Sequence, residues 1–419
     1  MKTRIPTTAS VSWTTWAGVA LSLSIGLAAA PSEALTITIA NTDGSGEGFN
    51  DPTPATPVAG NPGTTIGAQR LYLFQYAADF WGVHLDEDVP IVISASLDDL
   101  GGEAFNAILG GARPTSVHRD FEGTLRERTW YVAGLANQRH GSDLNDLVPE
   151  TCSISLFGGR CPEVEIQFNS SVDNSFVLGE SDFYYGLDGN SGADIDFLSV
   201  ILHEMGHGLG FLEFIDPDTG AKYFDHDDAF MLHLDDPNIN PRLIHEQTDT
   251  QRTRAVLDDG ALVWIGPGVK SVSGDLVEGV RPDGAVEMYA PRFYQSGSSV
   301  SHFNTDVFPH QLMEPFATDP PAHDITMTLA LFDDIGWRTR QAPDCGDATD
   351  DGEISSADAL AVLRGAVDLG HCPAYVCDVN YAGGVTSADA LVLLKRAVGQ
   401  SVTLNCPRGR VTDVVGSPE

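Results

Sequence analysis

Apolar residues recur at helical spacing through GAQRLYLFQYAADFWGVHL, residues 67–85, which predicts an α-helix with a buried side. β-branched residues and alternation mark VPIVISASL (89–97) and EVEIQFNSS (163–171) as strands. Helical spacing returns in DIDFLSVILHEMGHGLG (194–210), where Asp196 is placed to cap the start and glycines punctuate the end. ITMTLALFDDIGW (325–337) predicts one more helix, and RTRQAPD (338–344) reads as a linker. Strands followed by a long helix point to an α+β domain over residues 35–340.

Two terminal segments fall outside that pattern. Lys2 and Arg4 precede the apolar run WAGVALSLSIGLAAA (16–30), with small residues Ser32 and Ala34 after it. This reads as an export signal over 1–34 and predicts a secreted chain. No later stretch is apolar and long enough to span a bilayer. The tail, 407–419, has little to pack and reads as loose.

Charge and cysteine content narrow the partners. Asp and Glu number 59 against 23 Lys and Arg, a formal net charge of -36. That balance argues against nucleic acid and anionic membrane as partners. Six cysteines in an exported chain favour disulfides. Cys152 and Cys161 lie close together and are expected to pair. Cys345, Cys372, Cys377 and Cys406 allow three pairings.

The chemistry concentrates in HEMGH, residues 203–207. On a helix His203 and His207 sit one turn apart on one face, able to share a zinc ion, and Glu204 beside them can take a proton from a water that the metal acidifies. With Gly210 the stretch resembles the metzincin pattern His-Glu-x-x-His-x-x-Gly-x-x-His, but Glu213 stands where the third histidine belongs. Further on, SHFN (301–304) and LMEP (312–315) carry His302 and Met313. Together with GLGF (208–211) and LALFDDIGW (329–337) they resemble the leishmanolysin family of metzincin zinc peptidases, over roughly residues 65–337. The resemblance implies zinc held by His203, His207 and His302, Glu204 as catalytic base, and Met313 as the apolar floor of a Met-turn. It also implies that Glu213 is not a ligand. His310 is a weaker competitor for His302. The strand at 163–171 is expected to form the rim along which an extended peptide pairs, and the stretch between Phe211 and His302 to contact substrate or act as a lid. DHDD (225–228) reads as a solvated acidic turn, with calcium binding as the alternative.

A repeat follows. DATDDGEISSADALAVLRGAV (347–367) matches DVNYAGGVTSADALVLLKRAV (378–398) at an offset of 31. Asp347, Thr349, Asp351, Glu353, Ser355 and Asp358 lie in the first loop, with Gly352 at its turn. Hard oxygen ligands at this spacing are calcium-loop chemistry. In the second loop Asp378, Asn380, Thr386 and Asp389 fit, but Ala382 replaces a carboxylate, so calcium should bind there more weakly. The twin units resemble a type I dockerin over residues 344–406, a small all-α module (345–406) that implies a cohesin-bearing partner. The combined expectation is a secreted zinc endopeptidase acting on protein or peptide, with Zn²⁺ and Ca²⁺ as cofactors. The alternative is a secreted adhesion or scaffold protein whose metal site is structural or inactive.

Overall fold

Strands β1 (Ile37–Asn41) and β2 (Ile91–Asp98) pair in parallel, joined through helix α1 (Ile66–His84), which Thr65 caps by accepting from the Ala68 N–H. The computed structural model describes residues 35–407 apart from 87, 146–160, 175 and 368. Residues 1–34, expected to be an export signal, Cys152 and residues 408–419 lie outside the described residues. Two more strands, β3 (Gly110–Pro114) and β4 (Val164–Asn169), complete a sheet of order β1-β2-β4-β3. The architecture is mixed α+β.

The strand expected at the rim is therefore an interior one. β4 pairs in parallel with β2 and antiparallel with β3, so both of its edges are taken. Its alternating burial reads from sequence as an edge strand would, because pattern reports faces and not neighbours. The edges belong to β1 and to β3, GGARP, whose glycines and proline hide it from propensity.

Helix α2 (Phe197–Leu209) starts at Asp196, whose carboxylate accepts from the Ser199 N–H at 2.7 Å. It lies against the sheet and α1. Gly208 is required there, because a Cβ would sit 2.3 Å from Val164 of β4. Trp81 of α1 donates to the Leu202 carbonyl at 3.3 Å, and Phe49, Phe74, Phe168 and Phe197 form a run of ring contacts through the core.

The stretch between Phe211 and His302 adds its own sheet to the common core. Strands β5 (Leu234–Asp235), β6 (Val263–Trp264) and β7 (Val286–Glu287) form an antiparallel sheet. Helix α3 (Pro267–Val272) packs on α4 (Thr326–Ile335). Asp334 of α4 joins them, accepting from Gly268 N, Val269 N and Trp264 Nε1 at 2.6, 3.1 and 2.9 Å. The acidic DHDD stretch is not a solvated turn. Asp227 pairs with Lys222 at 2.5 Å and Arg126 at 3.2 Å, and Asp228 is buried, accepting from Met231 N and Phe214 N.

The repeat folds as α5 (Ser356–Gly365) packed on α6 (Ser387–Ala397). The disulfides are Cys345–Cys406 and Cys372–Cys377; Cys161 is also disulfide-bonded. Disulfides persist in oxidising compartments. The helices do not hang free. Tyr375 packs edge-on to Phe80 of α1 at 5.0 Å and lies 5.9 Å from His84, and Tyr76 donates to the Pro407 carbonyl at 2.5 Å. This explains why α1 is apolar nearly all round: α2 covers one side and the repeat another. The expected linker is pinned, with Asp86 N donating to Arg338 O and Arg340 N to His84 O, both at 2.9 Å. The described residues belong to one compact unit, and none of their helices is long and apolar enough to cross a membrane.

Candidate metal centre

Helical geometry places His203 and His207 on one face of α2, and the chain returns about a hundred residues later to bring His302 against them. The three Nε2 atoms lie 3.0, 3.1 and 3.1 Å apart. Each ring is held from behind: His203 Nδ1 meets the Leu312 carbonyl at 2.8 Å, His207 Nδ1 the Phe211 carbonyl at 2.7 Å, and His302 Nδ1 the Ser298 carbonyl at 2.7 Å. A carbonyl can only accept, so each Nδ1 carries the proton and each Nε2 presents a lone pair. Burial keeps the rings neutral, lowering His203 to about 4 and His207 to about 3, and His302 well below its ordinary value. For His207 and His302 the neighbouring rings add to the effect.

Three lone pairs converging without a proton between them repel one another, and a divalent cation relieves that. Nitrogens bound about 2.0–2.1 Å from a tetrahedral zinc would lie about 3.3 Å apart, close to the spacing found. The donor set therefore fits a metal ion. Among the described residues this is the one group of three or more His, Cys, Asp or Glu side chains with converging ligand atoms.

Glu204 is buried, and burial alone pushes its carboxyl up to about 8. It faces β3: a Cβ built on Gly110 would sit 3.1 Å from Glu204 Cγ and 3.2 Å from its Oε1. Met313 is fully buried against Gly206 of α2, where a Cβ would fall 2.6 Å from its sulfur. Gly210 alone of the three glycines supplies a turn, with φ of 124° at the end of α2.

Glu213 does not join the histidines. Its N–H donates to Ser301 Oγ at 3.2 Å, its carboxylate accepts from Ile215 N, and burial together with Asp228 holds it well above the ordinary carboxyl range. His310 instead reaches Glu314, at 3.1 Å.

The acidic loops are built differently. In the first, Asp347 accepts from Asp351 N and Gly352 N at 3.1 and 2.8 Å. Asp358 accepts from the N–H and hydroxyl of both Ser355 and Thr349; burial raises its pKa, but these bonds outweigh that and leave it lowered. Ser355 and Asp358 form a capping box for α5, as Thr386 and Asp389 do for α6. Glu353 lies exposed. In the second loop Asp378 is buried and accepts from the N–H groups of Ala382, Gly383 and Gly384, each at 3.1 Å. Burial, with the nearby Asp389 charge, raises its pKa. Asn380 N–H reaches Asp389 at 3.2 Å, yet Asn380 Oδ1 is buried with no partner.

Sequence reasoning missed the three carbonyls that orient the histidines, because a backbone acceptor has no residue identity. It also missed Gly110, whose only signal was the glycine pair before Ala112. No protein-family model matches the chain, and a search of curated proteins finds no match either.

Proposed function

We propose that the chain is a secreted zinc endopeptidase of the leishmanolysin-like metzincin type. The observation that carries the reading is the convergence of three carbonyl-held Nε2 lone pairs beside a buried glutamate. His203, His207 and His302 would hold zinc, which as a Lewis acid polarises a peptide carbonyl and acidifies water. Cationic charge in the triad would favour the ionised form of Glu204. Glu204 then takes the proton of the attacking water at a carboxylate oxygen and returns it to the leaving peptide nitrogen. Met313 and Gly206 close the site from below, and the carbonyls of Leu312, Phe211 and Ser298 fix ring orientation.

Substrate would pair along β3. The Asn169 N–H donates to Leu109 O and the Thr115 N–H to Glu163 O, both at 2.9 Å. Alternation in an antiparallel pair then turns the odd residues of β3 toward β4 and leaves Gly110 and Ala112 facing outward. An extended peptide adding there would pass beside Glu204. A scaffold with a structural metal would need a fourth protein ligand; Glu213, the candidate for it, is engaged elsewhere.

The repeat supports a dockerin-like role. Leu360 and Leu363 on α5 with Val367 just beyond it, and Leu391 and Leu394 on α6 with Val398 at its end, 31 residues later, are exposed apolar positions suited to a cohesin-bearing protein. Calcium would be held by Asp347, Thr349, Asp351, Ser355 and Asp358 in the first loop. Asp378, Asn380 and Asp389 would hold it in the second, where the orphaned Asn380 Oδ1 fits a cation ligand.

Casein digestion tests the enzyme reading. Wild type should digest, a zinc chelator should stop it, and Glu204→Gln should retain zinc but lose digestion. Retained digestion by Glu204→Gln removes Glu204 from the role of base.

A further inference from the structure

The end of β3 next to Glu204 carries an apolar surface that the fold does not use. Phe105 is 97% exposed, Phe176 82% and Ile108 65%. Burial of large apolar side chains is strongly favourable in water, so three such residues held open together mark a surface built for contact.

They are held on purpose-made supports. The fully buried Asn169, at the end of β4, donates from Nδ2 to Gly101 O and Ile108 O, both at 2.7 Å, and accepts at Oδ1 from Leu100 N and Ser171 N. One side chain thus closes the loop at residues 99–109 at both ends. Within it, Glu103 and Asn106 bridge across Phe105. The neighbouring segment is tied on, with Leu178 N donating to Glu103 O at 2.9 Å and buried Val177 lying against Gly102. Phe105 and Phe176 therefore stand on two joined loops, and Ile108 sits two residues before Gly110.

We propose that Phe105, Ile108 and Phe176 form an apolar subsite for the part of an extended peptide that lies C-terminal to the cut bond. This rests on the peptidase reading. Direction follows from strand pairing. An added peptide favours the antiparallel sense, so its chain runs from Pro114 toward Gly110, passes Glu204, and continues toward residue 108. At about 3.3 Å per residue, Ile108 falls opposite the second residue after the cut, with Phe105 and Phe176 beyond. Exposed Asp99, Glu103 and Glu180 belong to the same two chain segments as the patch, so acidic side chains are disfavoured there. The substrate class is unfolded or extended polypeptide with aromatic or aliphatic residues two to four positions after the cut, and without acidic ones.

The experiment uses the full chain and quenched fluorescent peptides that differ only in carrying Phe, Ser or Asp at those positions, with a second set varied before the cut. Wild type should favour Phe over Ser by roughly tenfold or more in kcat/KM, with Asp poorest. In the Phe105→Ser/Phe176→Ser variant the Phe-to-Ser ratio should fall toward one; both positions are surface-exposed, and circular dichroism checks the fold. An unchanged ratio, or a preference that follows residues before the cut, overturns the proposal. If wild type cleaves no peptide, the peptidase reading fails by itself. The subsite is then judged by fluorescence anisotropy of the same peptides, labelled, on Glu204→Gln with and without the two serine changes. Tighter binding of the Phe peptide that the serine changes abolish supports it; equal binding of all peptides overturns it.

Discussion

The histidine triad and the acidic loops are both candidate cation sites, but they are organised in opposite senses. In the triad every ring spends its proton on a backbone carbonyl behind it, and three free lone pairs meet in front. In the loops the carboxylates spend their acceptors on backbone N–H groups and on capping their helices. The triad is prepared for a cation by the rest of the fold. In the loops, the orphaned Asn380 Oδ1 apart, a cation would compete with local hydrogen bonds. Preorganisation, more than ligand charge, separates the two.

The most drastic way to break the contrast is His302→Ala. It should lose zinc in elemental analysis and lower casein digestion by at least a hundredfold, whereas Glu213→Ala keeps its zinc. The reverse pair of results would move the third ligand to Glu213. Gly206→Ala probes the floor. The new methyl meets the Met313 sulfur, and overpacking should exceed the gain in helix propensity, for a net loss of about 1–2 kcal/mol in denaturant unfolding. A neutral result would show that Met313 can move aside.

Calcium withdrawal should have a smaller, shared effect. Because Tyr375 packs on Phe80 and His84, a calcium chelator should lower the melting point of a single transition; an early, separate melting of residues 345–406 would show the repeat to be independent. The weakest effect concerns His371, whose ring lies 3.3 Å from Asp79 of α1. The hydrogen bond and charge of Asp79 raise its pKa above 6.5. A raised folded pKa means this contribution is full below about pH 6.5 and fades as pH rises through the folded value. The His371 side of the pair is largely exposed, so it contributes little, and Asp79→Asn should only flatten the slope of stability against pH above about 6.5.

Much of the site is legible in the chain because helical spacing is local. His203, Glu204 and His207 need only one turn of helix, and Asp196 caps it as its position predicts. His302 is far away, and only its distance to Met313 marks it. The sheet order was not legible: β4 alternates as an edge strand does, and β3 is too rich in glycine to read as a strand. The junction of α1 with the repeat was equally hidden, since Tyr76, Phe80 and His84 look like ordinary core positions until Tyr375 and Pro407 meet them. The apolar loops around Phe105 and Phe176 carry no periodicity at all.

One consequence of that junction concerns proteolysis. The Cys345–Cys406 bridge ties the two ends of the repeat together, and Tyr76 and Phe80 hold it to α1. A single nick between residues 338 and 344 would therefore leave a two-piece particle that migrates as one body under native conditions and parts only on denaturation. The repeat is a fitted part of the fold, so anything bound to it would carry the histidine triad in a fixed orientation.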